Sequence, residues 1–351
     1  MNRFLERSVM AVVLTAAVTA GYLAIERAPL ASVPPLAGTY AASAESLAAM
    51  ETAAGPFMNL GPDAASSQDR EPLLHHASLV PPRRPDVKRS PTDSVMALAD
   101  WFVELDYDLE HVREGRAHVP EAFLASLPPD LSDVPETETR KRLFFQAMLP
   151  LVLRANQEIL NDRRRLWQLH ADQRLGRRIG PADRLWLAAL ADRYRGPADN
   201  LALLIRRVDV IPPSLALAQA AEESGWGTSR FARQGNAMFG QWTTGDGDGL
   251  VPEDRDDDKD HKVRRFDTMY DSVRAYMRNL NTHRAYRELR RARAVLRRQG
   301  NPLNGVSLAG YLHRYSERGD DYVASIRAMI EVNGLQALDD ARLMTARHPE
   351  A

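Results

Sequence analysis

LAQAAEESGWGTSRFARQGNAMFGQW, residues 217–242, places two adjacent glutamates, Glu222 and Glu223, at the end of an apolar run and follows them with a Ser-Gly-Trp-Gly turn. The run begins in IPPSLALAQAAEESG, which predicts a helix starting beside Pro213 or Ser214 and stopped by Gly225. Successive helix positions lie about 100° apart, so the two carboxylates cannot face one pocket equally. One of them can. A glutamate in the last turn, next to Trp226, would sit at the lip of a groove where partial burial raises its pKa, as a general acid needs to hold its proton near neutrality. By spacing alone, the commoner reading of either glutamate is a solvated side chain on an ordinary helix.

Outward from this stretch, helix signals dominate. SVMALADWFVELDYDLEHV sets Val95, Leu98, Ala99, Phe102 and Leu105 at three- and four-residue spacing, the pattern of an amphipathic helix. A longer helical stretch starts at Arg140, with Pro150 expected to kink or divide it. GPADRLWLAALADRYR and PADNLALLIRRVDV supply two more helices. Residues 93–205 thus read as a helical N-terminal subdomain that packs against the next domain. In that second domain, 206–335, FDTMYDSVRAYMRNLNTH and DDYVASIRAMIEVNG are helices, the latter with Gly334 in a C-cap position. Between them and the glutamates lies TTGDGDGLVPEDRDDDKDHKVRRFD, whose glycines and charges suggest a loop or short irregular hairpin. Residues 336–351 read as a C-terminal tail.

The N-terminus speaks to location. Arg3 and Arg7 precede an apolar run from Val9 to Ile25, closed by Glu26 and Arg27. Residues 1–27 therefore read as a secretory signal peptide or a signal anchor, the run lying at the short end of the ~17 to 25 residues that span a bilayer. Arginines before the run and the bulk of the chain after it predict export. Residues 28–92, rich in Ala, Pro and Ser, cannot bury enough apolar area to offset their ordering entropy and read as a linker. The chain has 46 basic and 47 acidic residues, so no overall field favours nucleic acid as a partner. It has no cysteine, which excludes disulfides, thiolate metal sites and cysteine nucleophiles together.

The 217–242 stretch resembles the glucosaminidase domains of glycoside hydrolase family 73, whose pattern is close to A-x-E-S-G-W-G-x-S followed by Gly-Asn and Phe-Gly. Glu223, Ser224, Gly225, Trp226, Gly227, Ser229, Gly235, Asn236, Phe239 and Gly240 fall into place. Downstream, YSERGDDYVASIRAMIEVNGL is similar to the family's closing segment, with a longer spacing between its tyrosines. RVDVIPPS and RKRLFFQAMLPLVLRANQEIL resemble the Bax-type branch, so the likeness covers roughly residues 140–335. The resemblance implies a mainly α fold: a lysozyme-like helical catalytic domain carrying a short irregular hairpin and preceded by the helical subdomain. It implies Glu223 as the acid that protonates the glycosidic oxygen, Tyr315 as the active-site tyrosine and Tyr322 as the packing tyrosine beside the groove.

Glycoside hydrolysis usually needs a second carboxylate. The resemblance puts it on the hairpin after Phe-Gly, where Glu253 is the choice among several acids. Of the aromatics, Trp226 and Phe239 read first as core packing and second as substrate contacts, Trp242 is the better sugar platform, and Asn236 and Gln241 are placed to hydrogen-bond hydroxyl or N-acetyl groups. GDGDG and the aspartates after it do not follow a calcium-loop pattern, and no cofactor motif is present. The helix from Arg284 to Arg298 carries seven arginines against one glutamate and reads as a solvated face, with contact to anionic polymers as the alternative. The expected activity is an endo-β-N-acetylglucosaminidase that cuts peptidoglycan strands between N-acetylglucosamine and N-acetylmuramic acid in the periplasm, on an inner-membrane tether if the N-terminal segment is retained. A lytic transglycosylase and a non-catalytic peptidoglycan-binding scaffold are the alternatives.

Overall fold

The amphipathic run that opens at Val95 breaks into two helices, α1 (Val95–Glu104) and α2 (Leu109–Arg113). Asp106 takes a left-handed φ of 50° between them, and Asp108 caps α2 by accepting from the Glu110 N–H. The computed structural model describes residues 93–243, 248–251 and 262–344. The expected signal or anchor at 1–27, the linker at 28–92 and residue Glu253 lie outside the described residues. No helix among the described residues is long and apolar enough to cross a membrane.

α3 (Thr137–Arg174) runs unbroken for 38 residues and corrects the expectation of a division at Pro150. Proline removes one donor from the ladder, but every residue from Leu143 to Leu153 is buried, so packing on all faces holds the helix through the fault. This makes α3 the central post of the fold. α4 (Pro181–Arg193) and α5 (Leu201–Arg207) follow, and then α6 (Pro213–Ser224), the glutamate helix, packs along α3. Asn156 of α3 grips the strand-like entry to α6 with both ends of its amide, donating to the Ile211 carbonyl at 2.8 Å and accepting from the Ile211 N–H at 3.1 Å.

After the short α7 (Arg230–Gly235) come β1 (Trp242–Thr243), β2 (Gly249–Leu250) and β3 (Lys262–Arg264). The expected hairpin is a three-stranded antiparallel patch in which β3, last in sequence, lies in the middle. α8 (Met269–Thr282), α9 (Arg287–Arg298), α10 (Gly305–Ala309) and α11 (Asp320–Val332) complete the helices. One apolar core runs from Leu98 to Leu338, drawing on both the 93–205 and the 206–335 segments.

Two expectations change here. α9 is not simply a solvated face: Arg293 is fully buried and donates to the carbonyls of Asp209 and Val210 and to Asn281 Oδ1, while Arg290 donates to the Leu280 and His283 carbonyls at the end of α8. Arg290 thereby satisfies carbonyls at a helix end that have no partner within the helix, and Arg293 satisfies those of the connection between α5 and α6. The segment after 335 is also not a free tail as far as residue 344. Leu338 is buried, the Asp339 carboxylate accepts from the Ser214 N–H and hydroxyl at 2.8 Å each, and Leu343 pairs with Val119.

Candidate active site

α6 ends because Gly225, Trp226 and Gly227 all adopt left-handed backbone, with φ of 57°, 60° and 78°. Two of the three are glycines for a reason. At Gly227 a Cβ would fall 2.3 Å from Leu127 Cδ1, and the Ser224 hydroxyl accepts from the Gly227 N–H at 2.8 Å, tying the turn to the helix end. The strain of a non-glycine left-handed residue at Trp226 is offset by its indole, which packs edge-on against Phe144 and Phe145 of α3. Trp226 is thereby packed on the core, the role read first for it, and is not among the residues that line the cleft, so the substrate contact also expected of it is not brought to the site.

The turn leaves the two glutamates on different sides. Glu222 accepts from Arg318 at 2.7 Å and from the Ser325 hydroxyl at 3.2 Å, so its charge is engaged by α11 and the loop before it. Glu223 faces a cleft of about 320 Å³ lined also by Phe239, Gly240, Gln241, Trp242, Tyr286 and Tyr315. Burial, opposed by the hydrogen bond from Tyr322 and reinforced by the charge of Glu222, pushes the Glu223 carboxyl from 4.5 to about 7. It is the one carboxylate among the described residues that line this cleft.

Its two oxygens are distinguished by a chain of hydrogen bonds. The Tyr276 hydroxyl donates to Gln219 Oε1 at 2.7 Å, Gln219 Nε2 donates to the Tyr322 hydroxyl at 2.8 Å, and that hydroxyl donates to Glu223 Oε1 at 2.8 Å. Burial and then the neighbouring Glu223 raise the Tyr322 hydroxyl above its ordinary range, so it keeps its proton and stays a donor. With the Tyr322 hydroxyl donating, Oε1 is an acceptor, and a proton held by this carboxyl falls to Oε2. Oε2 faces Gly240, where a Cβ would sit 3.5 Å away and where φ is +57°. A bare backbone there leaves the proton open to the cleft.

The expected site residues divide accordingly. Tyr322, assigned to packing beside the groove, is the tyrosine that touches Glu223, from behind. Tyr315, expected at the centre, stacks flat on Tyr322 with ring centroids 5.4 Å apart and donates to the Phe239 carbonyl at 3.3 Å while lining the cleft. Phe239 is buried and stacks on Tyr276 at 3.9 Å. Gln241 lines the cleft, and its buried Oε1 has no partner among the described residues. Trp242, 59% exposed, stands at the cleft wall as a flat aromatic face. Asn236 does not join them: it takes a left-handed φ of 50°, and its amide donates to the Phe266 and Asp267 carbonyls, so it fastens the loop. Gln219 and Tyr276 were not anticipated. The signal for Gln219 was present, the one polar residue between Ser214 and Glu222, four positions before Glu223 on the same helix.

The family model for mannosyl-glycoprotein endo-beta-N-acetylglucosaminidase, the glucosaminidase domain, matches residues 199–335. Protein Bax of Escherichia coli (strain K12) is 34% identical over 214 residues, which cover 58% of this chain and 74% of the relative. No solved structure matches the chain. A helix-end glutamate in a glycine-turned cleft, inside a matched region that reaches from α5 to the end of α11, leaves one assignment: the chain belongs to the glucosaminidase family as a Bax-type member, with a function of the glycan-hydrolase type.

Proposed function

We propose that the chain is a peptidoglycan hydrolase, an endo-β-N-acetylglucosaminidase that cleaves between N-acetylglucosamine and N-acetylmuramic acid. The observation that carries this reading is the Glu223 carboxyl, raised to about 7 by burial and held on Oε1 by Tyr322, with its free oxygen open to the cleft beside Gly240. In the reaction Oε2 gives its proton to the glycosidic oxygen as the bond to the anomeric carbon breaks. Trp242 offers an apolar face to a sugar ring, and the unpartnered Gln241 Oε1 accepts an N-acetyl N–H. Glu253 is the proposed second carboxylate. The basic-then-apolar segment at 1–27 supports action in the periplasm, with the body held on an inner-membrane tether if that segment stays attached.

A second reading draws on one observation, that Glu223 is the one carboxylate among the described cleft residues. A lytic transglycosylase would use the same acid and let the muramic 6-hydroxyl, not water, take the anomeric carbon. Digestion of purified peptidoglycan by the full-length chain, beside Glu223→Gln, separates the two by product mass. Reducing N-acetylglucosamine ends that vanish in the variant support the glucosaminidase; anhydro-muramic ends support the transglycosylase; bound but uncut glycan with both proteins leaves only a binding role.

A further inference from the structure

Among the described residues, the cleft lined by Glu223 also holds an excess of positive charge that the acid chemistry does not use. Arg195 follows α4 and takes a left-handed φ of 52°, Arg264 ends β3, and Arg278 lies on the α8 face formed with Ala275, Asn279 and Thr282. All three line the same cleft as Glu223. Their neighbours are neutralised: Arg193 pairs with Asp162 at 2.8 Å and Arg274 with Glu158 at 3.6 Å. No carboxylate among the described residues pairs with Arg195, Arg264 or Arg278. Burial, and then the like charges of Arg264, Arg274 and Arg195, hold the Arg278 guanidinium below its ordinary pKa, so grouping these charges carries an electrostatic cost. The Arg264 guanidinium is held in place over the Phe266 ring, 4.9 Å from its centroid. None of the three is among the groups that tune Glu223.

We propose that Arg195, Arg264 and Arg278 form an anion subsite that takes a carboxylate from the muramic side of the glycan. The inference rests on the peptidoglycan reading given above and deepens it. N-acetylglucosamine is neutral, whereas every muramic residue bears a lactyl group that ends in a free carboxylate or continues into a stem peptide with carboxylates of its own. Guanidinium groups bind carboxylates through paired N–H donors in a fixed plane, which a compact ammonium cannot reproduce. A cluster contributed by three separate elements would therefore sort muramic from glucosamine positions and set which linkage lies over Glu223.

The test measures binding by the full-length chain carrying Glu223→Gln, so that strands are held and not cut. Three probes are compared: peptide-free glycan strands with free lactyl carboxylates, the same strands with those carboxylates blocked as methylamides, and strands that retain stem peptides. The subsite requires strands that carry carboxylates, on free lactyl groups or on stem peptides, to bind better than blocked ones and this preference to fall as salt is raised. Arg264→Gln and Arg278→Gln should each shrink the preference by roughly fivefold to tenfold, and Arg264→Lys should restore little of it. A preference that appears only on peptide-free strands assigns the lactyl carboxylate; one that appears only on peptide-bearing strands assigns the stem. Equal binding of all three probes by the unsubstituted arginines, in a protein that cuts peptidoglycan when Glu223 is intact, overturns the subsite alone. Failure to bind any strand, with no cutting, overturns it together with the glycan reading.

Discussion

Which oxygen of Glu223 carries the proton follows from one hydroxyl. Tyr322 donates to Oε1 and lowers the carboxyl pKa, while burial raises it more. Tyr322→Phe removes the lowering contribution, so the basic limb of the pH–rate profile should move above about 7 as kcat falls, because the unfixed carboxyl then samples other orientations. Tyr315→Phe should leave that limb in place, since the Tyr315 hydroxyl bonds the Phe239 carbonyl. Equal shifts in both variants would refute the distinction. Glu223 also carries a stability signature. Folding raises its pKa from 4.5 to about 7, so the folded chain binds this proton more tightly than the unfolded one. Stability is full below the ordinary carboxyl range and is lost as pH rises through about 7, at a cost of up to about 3 kcal/mol. Glu223→Gln should therefore raise Tm at pH 8 and leave it nearly unchanged at pH 4, and equal effects at both pH values in thermal melts would contradict this. The glutamate pair was legible in the sequence, but the choice between its members by spacing was not. It is decided by Arg318 and Ser325, which claim Glu222 from nearly a hundred residues away.

At the scale of elements, the α6 terminus and its support by α8 and α11 carry the site. Gln219 bridges Tyr276 of α8 to Tyr322 of α11, so one side chain joins three helices. Gln219→Leu leaves the buried Tyr276 hydroxyl without its acceptor and removes the donor to the Tyr322 hydroxyl, and should cost about 1–3 kcal/mol. In a double-mutant cycle with Tyr322→Phe the losses in kcat should be clearly less than additive, because both act through Glu223 Oε1; additive losses would break the link. Helix starts and stops were largely readable, because Pro213, Gly225 and Gly334 act locally through backbone conformation. Where the reading failed, tertiary packing had overruled local chemistry. Pro150 sits inside α3 because its surroundings are buried on every side, and the arginines of α9 turn inward because Asp209 and the end of α8 offer them acceptors. No periodicity in α9 announces those acceptors, which belong to other segments.

At the scale of the whole molecule, the folded unit is larger than the region the family model matches, 199–335, and this makes a prediction about truncation. On the N-terminal side α3 supplies the buried run Leu143–Leu153 against which α6 lies, so a chain begun at 199 would expose the back of the glutamate helix. On the C-terminal side the effect is finer and easier to measure. α6 starts with Pro212 and Pro213 and has no capping side chain of its own. Asp339 supplies that cap from the far end of the fold, binding Ser214 twice and accepting from the Gly305 N–H at 3.3 Å, a carboxylate placed at the positive end of the helix that bears the acid. Asp339→Ala should cost about 1–2 kcal/mol, as loss of a helix cap does. Ending the chain after Leu335 removes the cap together with Leu338, whose burial adds about 2 kcal/mol, and the pairing of Leu343 with Val119. Against a typical net stability of about 5–15 kcal/mol, the truncated chain should melt well below the full one, with Asp339→Ala between them. Identical melting temperatures for the full and truncated chains would mean that residues 336–344 only lie against the fold and do not hold the acid helix in place.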